Sequence, residues 1–223
     1  VSGLDGLNIK TLTDGGMNLI PSWFPDSDQL VFMKVNPKPK QDPARNAKIY
    51  FINLVTGKTS RLFTDKEQLK YSNAMPVISP KGEQIAFISD RSGEMRVWVS
   101  ALDGSGAKQL SKPEKNFHYE IKAPFEQKVP AWSPDGKWIA HWEGVEMIHM
   151  SRFTGIPNPK RDQLIASTFS VWVVGEDGIG RRKIGRGDDP TWSPDGFVTR
   201  AFPDSSRGGP VSYTHLRAHE TRS

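Results

Sequence analysis

Short apolar runs, each bounded by turn-forming residues, recur along most of the chain. Leu30-Val31-Phe32, Ile85-Ala86-Phe87 and Ile139-Ala140-His141 make one set. Ile49-Tyr50-Phe51-Ile52, Val97-Trp98-Val99 and Val171-Trp172-Val173 make a second. Runs of this length, rich in β-branched and aromatic residues, predict strands. Each run of the first set follows a proline turn: Pro25-Asp26-Ser27, Pro80-Lys81-Gly82, Pro134-Asp135-Gly136, with a fourth copy at Pro194-Asp195-Gly196. Proline presets φ at the second turn position, aspartate suits the third and glycine relieves the exit. Each run of the second set precedes a glycine turn (Thr56-Gly57, Asp103-Gly104, Asp177-Gly178). A last short strand then carries Leu62, Leu110 or Ile184.

The repeat is therefore a four-stranded antiparallel meander, here lettered A to D, with strand A the Trp-Ser stretch before the proline turn. One such sheet has two bare edges and little core. Radial stacking of sheets as blades buries their faces, which predicts an all-β fold, a β-propeller. The turn prolines stand 55, 54 and 60 residues apart, longer than the usual blade of about 40–45 residues. Residues 1–209 are expected to form an incomplete propeller: the end of one blade, three full blades and the start of another. The chain opens on Val1, and Leu12 lies six residues past Gly6 as Leu110 does past Gly104, so the first blade reads as cut near its C–D turn. Residues 210–223 lack every repeat landmark. They look like a translated sequencing adapter and are expected to be a disordered, non-native tail. His215, His219 and Glu220 within it have helical spacing, but the glutamate follows the second histidine, unlike a zincin motif, and they are assigned no role.

Composition changes this picture little. No stretch of about 18 apolar residues is present, so no membrane-spanning helix is expected. The absence of cysteine removes disulfides and thiolate metal sites. The net charge of +5 is scattered among acids, and nucleic-acid binding is not expected.

The run Trp132-Ser133-Pro134-Asp135-Gly136-Lys137-Trp138-Ile139-Ala140 and the run Leu102-Asp103-Gly104 to Lys108-Gln109-Leu110-Ser111 resemble the TolB-type β-propeller repeat over about residues 1–205. The resemblance implies a propeller fold and a periplasmic or envelope location. It implies a non-catalytic binding scaffold for a protein or glycan partner. The alternative is a propeller fragment of a prolyl-oligopeptidase-like peptidase or of a metal-dependent polysaccharide lyase, some TolB-like propellers being lyases with histidine-held metals. TolB proteins also carry an N-terminal α/β domain, to which nothing here corresponds.

In a propeller the B–C and D–A connections share one face. All the insertions fall there: 36–46, 112–128 and 143–167. Insertions gathered on one face of a repeat protein point to a binding face. The candidate binding residues are Phe117, His118, Tyr119 and Phe125 in the aromatic-rich middle insertion, Glu143 at the mouth of the third, and Asp188 and Asp189 before Pro190, suited to calcium or a cationic partner group. His141 takes the strand B position of Phe32 and Phe87 and reads first as a core residue. With Glu143, Glu146 and His149 it is a weak candidate for an N/O metal site; no cofactor is expected. Asp26, Asp135 and Asp195 read as turn formers. Trp23, Trp132 and Trp192 share one strand A position and read as blade core. No Gly-x-Ser-x-Gly elbow or phosphate loop is present, and Gly175–Gly180 reads as a C–D turn, so no catalytic residue is assigned.

Overall fold

A computed structural model of the chain describes residues 1, 7, 9–26, 28–36, 46–112, 129–143, 170–202 and 212–217. The strands fall into consecutive antiparallel meanders. The first sheet is β1 (Met17–Trp23), β2 (Gln29–Val35), β3 (Ala47–Asn53) and β4 (Thr59–Arg61). The second is β5 (Asn73–Ile78), β6 (Gln84–Ser89), β7 (Arg96–Ala101) and β8 (Lys108–Gln109). The third is β9 (Ala131–Trp132), β10 (Trp138–Glu143), β11 (Ser170–Gly175) and β12 (Arg182–Arg186). A three-stranded sheet follows, β13 (Asp188–Trp192), β14 (Phe197–Phe202) and β15 (Ser212–Arg217). One single-turn helix, α1 (Lys66–Leu69), is capped by Asp65, whose carboxylate accepts from the Glu67 amide.

Register confirms the phase of the repeat. Trp23 pairs with Leu30, Ile78 with Ile85, Trp132 with Ile139 and Trp192 with Val198. The A–B turns are built as their residues dictate: Asp135 accepts from the Ser133 hydroxyl and the Lys137 amide. Gly175–Gly180 is a C–D turn, closed by the Gly178 amide on the Gly175 carbonyl.

Strand A has a feature the repeat text conceals. The residue before its proline turns to positive φ: Ile20 at 52°, Met75 at 51° and Asp189 at 42°. A register shift accompanies each, between Leu19 and Ser22, Ala74 and Val77, Asp188 and Thr191. Proline donates no ladder hydrogen bond, so the strand bulges around it. A non-glycine residue at such φ costs about 1–3 kcal/mol.

The sheets pack face to face through a residue in or just past strand D. Leu62 joins Ile78, Ile85 and Phe87 of the next sheet. Leu110 joins Trp132, Ile139 and Val174, and half-buried Ile184 packs on Trp142 and Val198. Leu12 packs in the same way on Leu30, Phe32 and Ile52 of the first sheet. Strand A tryptophans tie neighbours together at the inner edge: the Trp132 indole donates to the Val77 carbonyl (3.1 Å) and that of Trp192 to the Ala131 carbonyl (2.9 Å). Trp132 is accordingly buried. Trp23 is not blade core, as the sequence suggested: it is 52% exposed, because no strand A precedes it among the described residues.

The tail also departs from expectation. Ser212–Arg217 pairs with β14 from Phe197↔Arg217 to Phe202↔Ser212, where no order was expected. β15 takes the strand C position of the fourth sheet: β14 offers a ladder edge, and an unpaired edge accepts an extended segment within reach. Because β15 is an edge strand that pairs with β14 alone among the described strands, deleting residues 210–223 is expected to change stability by about 1 kcal/mol or less. Thermal melting of the truncated chain checks this; loss of the cooperative transition would make β15 a required strand.

Candidate functional site

Two features stand out, one at the end of the sheets from which the long connections leave and one along their inner edge. The first lies on the third sheet. His141, 1% exposed, occupies the strand B position of Phe32 and Phe87 and faces Trp172 across the ladder. Its Nε2 lies 2.9 Å from Glu143 Oε1. Arg181 donates to Glu143 Oε2 at 2.6 Å and to the Lys112 carbonyl at 3.3 Å, and its guanidinium lies 3.7 Å from the Trp172 ring centre. Burial by itself pushes the Glu143 carboxyl up, but hydrogen bonds and charge from His141 and Arg181 outweigh it and hold the group below its ordinary value. Both Glu143 oxygens are thereby engaged. Lys112 and Glu143 are the residues from which the second and third insertions depart, so this ion pair clamps two loop bases together.

The second feature is a cavity of about 840 Å³ along the inner edge of the sheets. Strand A of all four sheets lines it. Val129 and Asp189 stand toward the loop end, Pro80 and Pro134 toward the A–B turns, with Trp23, Trp132 and Trp192 between. Ile20, Met75 and Val129, the residues before the strand A prolines, join one apolar cluster at the loop end. Asp189 holds the equivalent position in the fourth sheet.

Of the residues singled out from sequence, the structure brings His141 and Glu143 into contact and puts Asp189 in the cavity wall. Asp188 lies on β13. Phe117, His118, Tyr119, Phe125, Glu146 and His149 lie outside the described residues. Among the described residues no group of three or more metal-ligating side chains assembles. Arg181 escaped the sequence reading. Its signal was a threefold departure from the repeat within one blade: histidine for phenylalanine at 141, glutamate for Lys34 or Ser89 at 143, and arginine for Thr59 or Ala107 at 181.

Antiparallel four-stranded sheets stacked edge-inward around a common cavity define a β-propeller, here a run of its blades. No family profile matches the chain. A TolB homolog of Chlorobium luteolum is 29% identical over 168 residues, covering 63% of this chain and 36% of the relative. The chain thus spans about a third of the length of that curated relative. Among solved structures, TolB from Acinetobacter baumannii matches 93% of this chain and 43% of its own, with a TM-score of 0.60 and 19% identity. A puromycin-hydrolyzing peptidase of Mycobacterium tuberculosis matches 97% of this chain and 29% of its own, with a TM-score of 0.62 and 15% identity. The two structural matches establish the fold and do not choose between TolB and peptidase propellers. The sequence likeness is to TolB: the chain is a β-propeller whose blades are similar to those of TolB.

Proposed function

We propose that this chain is a non-catalytic binding scaffold that takes a protein partner at the loop end of its axial cavity. The carrying observation is the cavity itself: about 840 Å³, walled by proline, tryptophan and small side chains, and running along strand A of all four sheets from the A–B turn prolines to Val129 and Asp189. Aromatic and apolar walls with few polar groups are what a recognition site needs, and the scaffold holds them on rigid strands. A glycan stacking on exposed Trp23 is the companion reading. The TolB likeness supports a periplasmic or envelope location for the whole protein.

A photo-crosslinking amino acid placed at exposed Asn36 or Lys112, at the loop end, is expected to capture one discrete protein in cells. The same group at exposed Lys81 or Lys137, at the A–B turns, is expected to capture none. Capture only from the A–B end would overturn the assignment. The peptidase-propeller reading draws on the fold match with the puromycin-hydrolyzing enzyme. A Gly-x-Ser-x-Gly domain encoded downstream in the same gene would favour it; an upstream α/β domain with a signal peptide would favour the TolB reading.

A further inference from the structure

We propose that the axial cavity recognises a cationic side chain, lysine or arginine, on the bound protein segment, with Asp189 as its counter-charge. The inference rests on the cavity being the partner site and names the chemistry read there.

Among the described residues Asp189 is the one ionisable residue lining the cavity; the remainder are prolines, tryptophans, phenylalanine and small or aliphatic residues. The repeat shows that this acid is a departure. Ile20, Met75 and Val129 hold the equivalent positions, and their side chains close an apolar cluster. The fourth copy has a solvent-exposed carboxylate at that repeat position, also at positive φ. Aspartate tolerates that conformation better than most residues, but an apolar blade position gains nothing from its charge.

The carboxylate has no cationic partner among the described residues. Partial withdrawal from water raises its carboxyl above the ordinary value of 3.8, the behaviour of an acid with no cation beside it. A partner covering the cavity would complete that desolvation. An apolar segment would strand the charge, and an acidic one would be repelled. Lysine or arginine resolves both problems. The methylene stem lies along proline and tryptophan faces, Trp23 offers its exposed ring to the cation, and the head reaches the carboxylate. Low-dielectric walls strengthen the pairing relative to open water.

The test is a titration of the whole chain with Nα-acetyl-lysine methylamide and, separately, with the uncharged Nα-acetyl-norleucine methylamide. The indole N–H signals of Trp23, Trp132 and Trp192 report occupancy by NMR. The lysine probe is expected to shift them saturably and to bind about fivefold or more tighter than norleucine, the scale of one partly screened ion pair. Asp189→Asn keeps the shape and tolerates the same backbone, and it is expected to abolish the preference. Asp189→Glu keeps the charge and is expected to retain part of it. Equal binding of the two probes, a preference that survives Asp189→Asn, or no indole shift with either probe overturns the charge assignment. If crosslinking at Asn36 and Lys112 still captures a partner, the cavity-mouth reading stands without it; if that capture fails too, both fall.

Discussion

Phe87→Ala is expected to cost about 3–5 kcal/mol of stability, the range for a large aromatic removed from a packed core. Phe87 is fully buried between the first two sheets, among Phe24, Val31, Phe51, Leu62 and Ile85. It meets Phe63 edge-to-face, with ring centres 5.8 Å apart. Its loss also strips one wall from Arg91, whose guanidinium lies between the rings of Phe63, Phe87 and Trp98. Burial lowers the pKa of that guanidinium, so an arginine already short of water loses a ring face that offsets the cost. Chemical denaturation with a matched control gives the answer. Val55→Ala, at a residue 77% exposed on a C–D turn, should stay within about 0.5 kcal/mol. A Phe87→Ala loss no larger than the control would mean that the two sheets do not share this core.

Glu143→Ala should cost about 2–3 kcal/mol, a buried ion-pair loss discounted for the partial exposure of Arg181. Glu143 is 11% and Arg181 20% exposed. The change removes the acceptor of both His141 and Arg181 and leaves a guanidinium on Trp172 with no counter-charge. Glu143→Gln keeps shape and one acceptor, and should cost less. The pH dependence has a definite sign. The folded-state pKa of Glu143 lies below its ordinary value of 4.5. Its stabilising contribution is therefore fully present above pH 4.5 and is lost as pH falls through the lower folded value. Wild type should lose stability over that acid range more steeply than Glu143→Gln. Parallel curves for the two would show that Glu143 carries no net stabilisation.

The blade pattern was legible because it is local. A proline turn, a three-residue apolar run and a glycine turn each have a physical cause within a few residues, and four copies in phase leave one arrangement of strands. What the text hid was set by neighbours. Trp23 and Trp132 share a repeat position, yet one is exposed and the other buried, because burial depends on the sheet before it. The bulge at Ile20, Met75 and Asp189 follows from strand A proline needing a place off the ladder. Pairing of Ser212–Arg217 depends on the edge that β14 offers, which lies outside its own text. The candidate site divided along the same line. His141 and Glu143 were readable as departures from the repeat, while Arg181 reaches them only through tertiary packing over Trp172. Asp189 was noted as half of an acidic pair; its more informative property is that three apolar residues hold its place in the other sheets.

Both functional readings require the blades to stand side by side around the cavity, and the strand A indoles report that arrangement directly. Hydrogen exchange of the three indole N–H protons, resolved by NMR, is the decisive measurement. Trp132 and Trp192 donate to carbonyls of the preceding sheet and should exchange slowly, whereas the exposed ring of Trp23 should exchange at close to the free rate. Equal, fast exchange at all three would contradict the radial stacking of blades and the cavity built on it.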